Sequence, residues 1–333
     1  MRNWVSAEAT QVTVKFFPDP GGTPLAPGTG YLRLWLAEGF LAQRTSWGND
    51  HYPALYGGVT LNFLGLGNRP TPFSSLTERR TWNAPGAYLD FPMTTLLPYN
   101  GGVVEVDAAL YRASGDGPLG VAAKVVSGLA GLIGPPLTVA GMIADKVSDG
   151  LDSILEAQGD DPVLGLHWSM VADGGGNQTV RPGHIVVVNA PGGELLANLA
   201  IVDGRLQADG DLLTGVDYLV VRVETRTERD DFWLPEFEEL RTRAAEAYLL
   251  NQLETFENLR TTAICRAYTT TDFSRTDGLR LAKLVADRID EVKQLGAVPK
   301  VDRSIENLTS ADLPTIEEIR GLGLAALLNV SSR

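Results

Sequence analysis

Apolar and polar residues alternate along several short stretches of the first 115 residues. Val12, Val14 and Phe16 are interleaved with Thr13 and Lys15, and Leu32, Leu34 and Leu36 with Arg33 and Trp35. Val59, Leu61 and Phe63 repeat the pattern, as do Val104, Val106, Ala108 and Leu110. A strand sends successive side chains to opposite faces, so these runs predict half-buried strands. Pro18-Asp19-Pro20-Gly21-Gly22, Asn68-Arg69-Pro70 and Asn100-Gly101-Gly102 predict the turns between them. Alternation returns at Leu164, Leu166 and Trp168 and at Leu219, Val221 and Val223, and His184 to Val188 is a short apolar run of the kind found in a fully buried strand. Asp173 to Asn177 and Pro191-Gly192-Gly193 read as further turns.

Between these two β-rich stretches the period changes to about four. Val121, Val125, Leu129 and Leu132 sketch one helix, and Val139, Ile143, Val147, Leu151 and Leu155 a second that opens at Pro135-Pro136. Together they predict an inserted helical hairpin over about 118–157. Its uncharged run Val125 to Ile143 invites a membrane reading. A spanning helix needs about 20 apolar residues to cross roughly 30 Å of hydrocarbon. The prolines leave halves of about ten residues, which reach only about 15 Å each. The hairpin is therefore expected on a protein core. Val125, Leu129, Leu132, Ile133, Leu137, Val139 and Ile143 form the segment that would meet a membrane after conformational release.

From Pro235 the pattern is helical. Glu236, Glu238 and Glu239 occupy a first turn, where acid suits the helix dipole. Leu240, Ala244, Ala247, Leu250, Phe256 and Leu259 predict its apolar side. Ser274-Arg275-Thr276-Asp277 starts a second helix carrying Leu281, Leu284, Val285, Ile289 and Val292, with Gly296 as its stop. A third is expected from Thr315, with Glu318 three residues on, through Ile319, Leu322 and Leu327. The expected fold is α+β. An antiparallel β-sandwich, jelly-roll-like or of similar build, occupies 1–233 with the hairpin inserted, and a C-terminal helical region occupies 234–333.

Composition narrows the function. The 333 residues carry a formal net charge of -13, which excludes nucleic acid as a partner because phosphate binding needs a basic surface. Cys265 is the single cysteine, and the N-terminus lacks a basic stretch followed by an apolar one, so a cytoplasmic location is expected. His51, His167 and His184 are too scattered for a zinc motif, and no nucleophile elbow or phosphate loop is present. Neither a catalytic residue, a cofactor nor a metal is assigned. Asp209-Gly210-Asp211 reads as a turn rather than a calcium loop.

Two places suit a protein partner. Phe232, Trp233 and Glu236 lie in an acidic stretch, and aromatic anchors within a charged rim are common at interfaces. Trp35 faces away from Leu34 and Leu36, toward the surface of its strand, where an indole also suits stacking on a sugar ring. The leading expectation is a non-enzymatic interaction or scaffold component of a bacterial multi-protein assembly. The alternative is a membrane-active, pore-forming-like effector, held soluble until its Gly/Ala-rich hairpin is freed by proteolysis or partner loss. An enzyme of unrecognised chemistry comes third.

Overall fold

The computed structural model describes residues 12–42, 45–46, 49–63, 67–75, 91–114, 162–172, 178–190, 197–229, 232–295, 305 and 307–328. The strands are β1 (Val12–Pro18), β2 (Gly30–Phe40), β3 (Thr45–Ser46), β4 (Asn49–Phe63), β5 (Gly67–Ser75), β6 (Phe91–Pro92), β7 (Leu97–Tyr99) and β8 (Val104–Ser114). They continue with β9 (Pro162–Met170), β10 (Gly183–Asn189), β11 (Leu199–Val202), β12 (Arg205–Ala208), β13 (Asp211–Leu212), β14 (Tyr218–Arg226), β15 (Phe232–Trp233) and β16 (Asn307–Leu308). The helices among the described residues are α1 (Pro235–Leu249), α2 (Leu253–Thr269), α3 (Arg275–Leu295) and the short α4 (Leu324–Leu327). The protein is thus α+β with antiparallel sheets. It divides into two compact units. The first takes Met1–Ala26, Leu32–Thr95 and Gly101–Thr225, and the second Pro27–Tyr31, Leu96–Asn100 and Arg226–Arg333.

In the first unit one sheet runs β1-β10-β14-β2-β6, and a second runs β3-β4-β8-β9 with β5 beside β4. Ile185, Val187, Leu219, Val221, Leu32, Leu34 and Leu36 share one face by the strand period and are all fully buried, and Val186, Val188, Tyr218 and Val220 of the opposite face are buried as well. The rings of Phe16 on β1 and Trp168 on β9 lie nearly parallel with centroids 6.1 Å apart. A small meander, β11-β12-β13, places Leu199, Leu206 and Leu213 over Ala37, Phe40, Val186, Val188, Tyr218 and Val220. Its two hairpin turns, Asp203-Gly204 and Asp209-Gly210, have φ of 49° and 76°, and of 53° and 88°. Those left-handed pairs suit the twist of a two-residue hairpin, and Asp-Gly is a favoured sequence for it. The second of them bears out the turn reading of Asp209-Gly210-Asp211.

The second unit is built on α1, α2 and α3, whose Phe237, Leu240, Phe256, Ile264, Leu281, Val285 and Ile289 share one apolar core. Two short excursions from earlier in the chain close the start of α3. The first backbone N–H groups of a helix have no partner within it. Here Arg275 N–H donates to Asn100 Oδ1 at 2.9 Å, Thr276 N–H to the Gly28 carbonyl at 2.9 Å, and Asp277 N–H to Ser274 Oγ at 3.2 Å. Gly28 is required at this approach: its φ is +78°, and an added Cβ would stand 3.2 Å from Cβ of Arg275. The irregular C-terminal segment is held by buried arginines. Arg280 donates to the carbonyls of Pro314 at 2.6 Å and Ser310 at 2.9 Å, and Arg260 to that of Leu327 at 2.9 Å.

Each strand predicted by alternation is present, and the predicted turns at 18–22 and 100–102 lie at bends of the chain. Three local expectations are corrected. Asn68-Arg69-Pro70 is not a turn: it lies in β5, where Pro70 stands opposite Thr60, and β5 pairs only with β4 among the described residues. A strand with one neighbour tolerates proline because no second ladder asks for its missing N–H. The helix predicted through Leu259 is two helices. Asn251, at φ 57°, ends α1 as Asn251 N–H donates to the Tyr248 carbonyl and Gln252 N–H to that of Ala247. At Thr315 the predicted cap forms, with Thr315 N–H donating to Glu318 at 2.7 Å, but turns follow it. Gly321, at φ 75°, ends them, and only Leu324–Leu327 is helical. The hairpin at 118–157, with Val125, Leu129, Leu132, Ile133, Leu137, Val139 and Ile143, lies outside the described residues. So do the predicted turns at 173–177 and 191–193. Among the described residues no helix is long and apolar enough to cross a membrane.

Candidate functional site

The face of the first sheet opposite its apolar side changes character along the strands. One end carries the small apolar cluster beneath the β11-β12-β13 meander. The other gathers Arg33 and Trp35 of β2, Arg222 and Glu224 of β14, and His184 of β10. Pairing explains the grouping: His184 stands opposite Arg222 on β14 and Phe17 on β1. Trp35 reaches the same face, because its indole N–H donates to Glu224 at 2.5 Å. The guanidinium of Arg222 lies 4.8 Å from the Trp35 ring centre and that of Arg33 5.3 Å, both within cation–π range. The indole is therefore fixed in the ring plane by a carboxylate and flanked by two cations.

Charge spreads outward from this centre. Lys15 lies 4.7 Å above the ring of Phe17. Arg181, just before β10, donates to the Gly22 carbonyl at 3.0 Å and so ties down the turn that carries Asp19. His184 is only 6% exposed, and its Nδ1 lies 3.3 Å from Asp19. Burial lowers its pKa, and Arg222 adds to the effect against the opposing pull of Asp19. The ring is consequently neutral near pH 7, and its contact with Asp19 is a hydrogen bond that places the proton on Nδ1. Nε2 is buried without a hydrogen-bond partner. This resembles the orienting half of a proton-transfer pair, but a sealed Nε2 offers no substrate a route to it.

A second buried titratable group, this one an acid, lies at the apolar end. Glu38 is 1% exposed and accepts from the Leu206 N–H at 3.1 Å and the Tyr218 hydroxyl at 3.0 Å. Burial raises its pKa, with both hydrogen bonds opposing. In the second unit the Tyr31 hydroxyl donates to Asp277 at 2.7 Å, and Arg280 holds the other oxygen of that carboxylate at 2.8 Å. Burial and then the Asp277 charge push the Tyr31 pKa well above the usual phenol range. Every member of this cluster has an internal partner, which suits a structural bolt rather than a reactive centre.

The residues singled out from sequence fall in different settings. Trp35 is half-buried on the face described above. Phe232 is 2% exposed and is a core residue of the second unit, its ring 5.1 Å from that of Phe273. It is therefore no exposed anchor, because the helices bury it. Trp233 pairs with Asn307 in the β15–β16 ladder, and Glu236 is exposed in the first turn of α1. Cys265 is half-buried on α2, while His51 and His167 lie in β4 and β9. Among the described residues no group of three or more His, Cys, Asp or Glu is placed to hold a metal ion. Sequence reasoning missed Arg33, Arg222 and Glu224 as companions of Trp35. Alternation puts Arg33 on the face of Trp35, but which strand lies beside β2 is a non-local fact. Comparison of the chain with protein-family models, curated proteins and solved structures finds no match in any of the three.

Proposed function

We propose that the protein is a non-enzymatic interaction component of a larger assembly, docking its partner on the Arg33–Trp35–Arg222 face of the first unit. The observation that carries this reading is the mounting of Trp35 between two guanidinium groups and Glu224. Tryptophan and arginine dominate binding hot spots, and a side chain already fixed loses little freedom on docking. In a chain of net charge -13, this face gathers two arginines and one glutamate around the indole, a local excess of positive groups. Such a patch favours a partner that brings carboxylates and an apolar contact. The two large antiparallel sheets are read as the layers of a sandwich, a reading supported by the apolar face of the first sheet and by the Phe16–Trp168 pair.

The test compares what co-purifies with the wild-type chain and with Trp35→Ala from the cells that make it. Leu212→Ala, at a 37% exposed leucine of the small meander, serves as a surface control. One set of proteins retained by wild type and Leu212→Ala but lost from a folded Trp35→Ala supports the reading. Identical sets from all three chains would remove it.

A further inference from the structure

The corner between α1 and α2 exposes three leucines within five residues. Leu249, Leu250 and Leu253 are 53%, 69% and 54% exposed. The backbone of the corner is hydrogen-bonded through the turn. The backbone N–H groups of Leu250, Asn251 and Gln252 all donate to carbonyls of the last turn of α1, at 3.0, 3.0 and 2.8 Å. Nearby, Tyr248 and Phe256 lie 5.3 Å apart, and the Lys293 ammonium covers the Phe256 ring at 4.7 Å. Exposure of these leucines therefore does not come from a loose loop, and a partner would find them already ordered.

The polar residues of the corner segment 246–254 are Glu246, Asn251, Gln252 and Glu254, so the only charges it carries are acidic. Glu246 and Glu254 are exposed, and neither has a salt-bridge partner among the described residues, whereas Glu257 is engaged by Lys293 at 3.2 Å. We infer that this corner is a second docking surface, separate from the Trp35 face, and that its occupant is a basic amphipathic helix from a partner protein. Leucines on such a helix cover Leu249, Leu250 and Leu253, and its lysines or arginines meet Glu246 and Glu254. Burying the leucines supplies the attraction, since the gain follows the apolar area removed from water. The carboxylates select the sign of the partner and make association sensitive to salt.

The probe is a fluorescein-labelled, 18-residue Leu/Lys amphipathic helix, titrated with the full chain and followed by anisotropy, beside a Leu/Glu peptide of the same pattern. The expected result is saturable binding of the Leu/Lys peptide alone. It weakens at least roughly tenfold in Leu250→Ser/Leu253→Ser and loses much of its salt dependence in Glu246→Gln/Glu254→Gln. Trp35→Ala binds the peptide like wild type, which keeps this surface distinct from the one proposed above. Equal binding of both peptides, no binding, or binding indifferent to the leucine substitutions overturns the proposal. Light scattering that shows a dimer dissolved by the same leucine substitutions also overturns it, by assigning the corner to a second copy of the chain.

Discussion

Glu38 and His184 are buried groups whose titration bears on stability in opposite directions. Burial raises the pKa of Glu38, so the folded state holds that proton more tightly than the unfolded chain does. Its contribution is complete below the ordinary carboxylate pKa, about 4.3, and declines as pH rises toward the raised value. Glu38→Gln cannot ionise, so its stability relative to wild type should improve as pH is raised from about 4 to 8 in urea titrations. Glu38→Ala should be worse at every pH, by about 1–3 kcal/mol, because the Leu206 N–H and the Tyr218 hydroxyl lose their acceptor. His184 works the other way. Burial lowers its pKa, so stability is fully present above the unfolded value of about 6.5 and declines as pH falls through the lowered one. Wild type should therefore lose more melting temperature between about pH 7 and 5 than His184→Gln does. An equal loss in both chains would show that this imidazole does not titrate in the window.

At the scale of elements, the C-terminal segment offers a direct test of what fixes irregular chain. Arg260 grips both oxygens of Asp290, at 2.8–3.1 Å, and the Leu327 carbonyl. The arginine side chain is 6% exposed and the aspartate 30%. Removing the carboxylate strands a buried charge, whereas removing the arginine leaves one that reaches water. Asp290→Ala should thus destabilise more than Arg260→Met, and both should speed amide exchange around Ala326–Leu328 relative to α2. Why some elements were legible follows from where their signals reside. Strands β1, β2, β8, β9 and β14 carry alternation within a few residues and β10 a continuous apolar run, so local sequence announces them. The break at Asn251 also has a local signal, a left-handed-tolerant residue after an apolar stripe, but Leu250 disguised it by extending the stripe. Asp203-Gly204 announced a hairpin that went unread. In contrast, Thr315 and Glu318 made their predicted cap without a helix, because capping closes a first turn and cannot propagate through Gly321 and Gly323.

For the whole molecule, both the candidate site and the buried polar cluster of the second unit depend on pairings remote in sequence. Trp35 and Glu224 are 189 residues apart, and Tyr31 and Asp277 are 246 apart. Local pattern identified Trp35 as outward-facing, yet only sheet order supplied Glu224 and Arg222. Phe232, a candidate docking aromatic by its acidic surroundings, is buried for the same reason: Phe273, its ring partner, arrives from beyond α1 and α2. On the proposed function, the Arg33–Trp35–Arg222 face should be covered in the assembled state. Hydroxyl-radical footprinting of the full chain, purified alone and recovered with its co-purifying partners, measures that covering. Oxidation of half-buried Trp35 should slow several-fold in the recovered complex while Leu212 keeps its rate. Unchanged oxidation of Trp35 in a complex that is demonstrably intact would contradict the account.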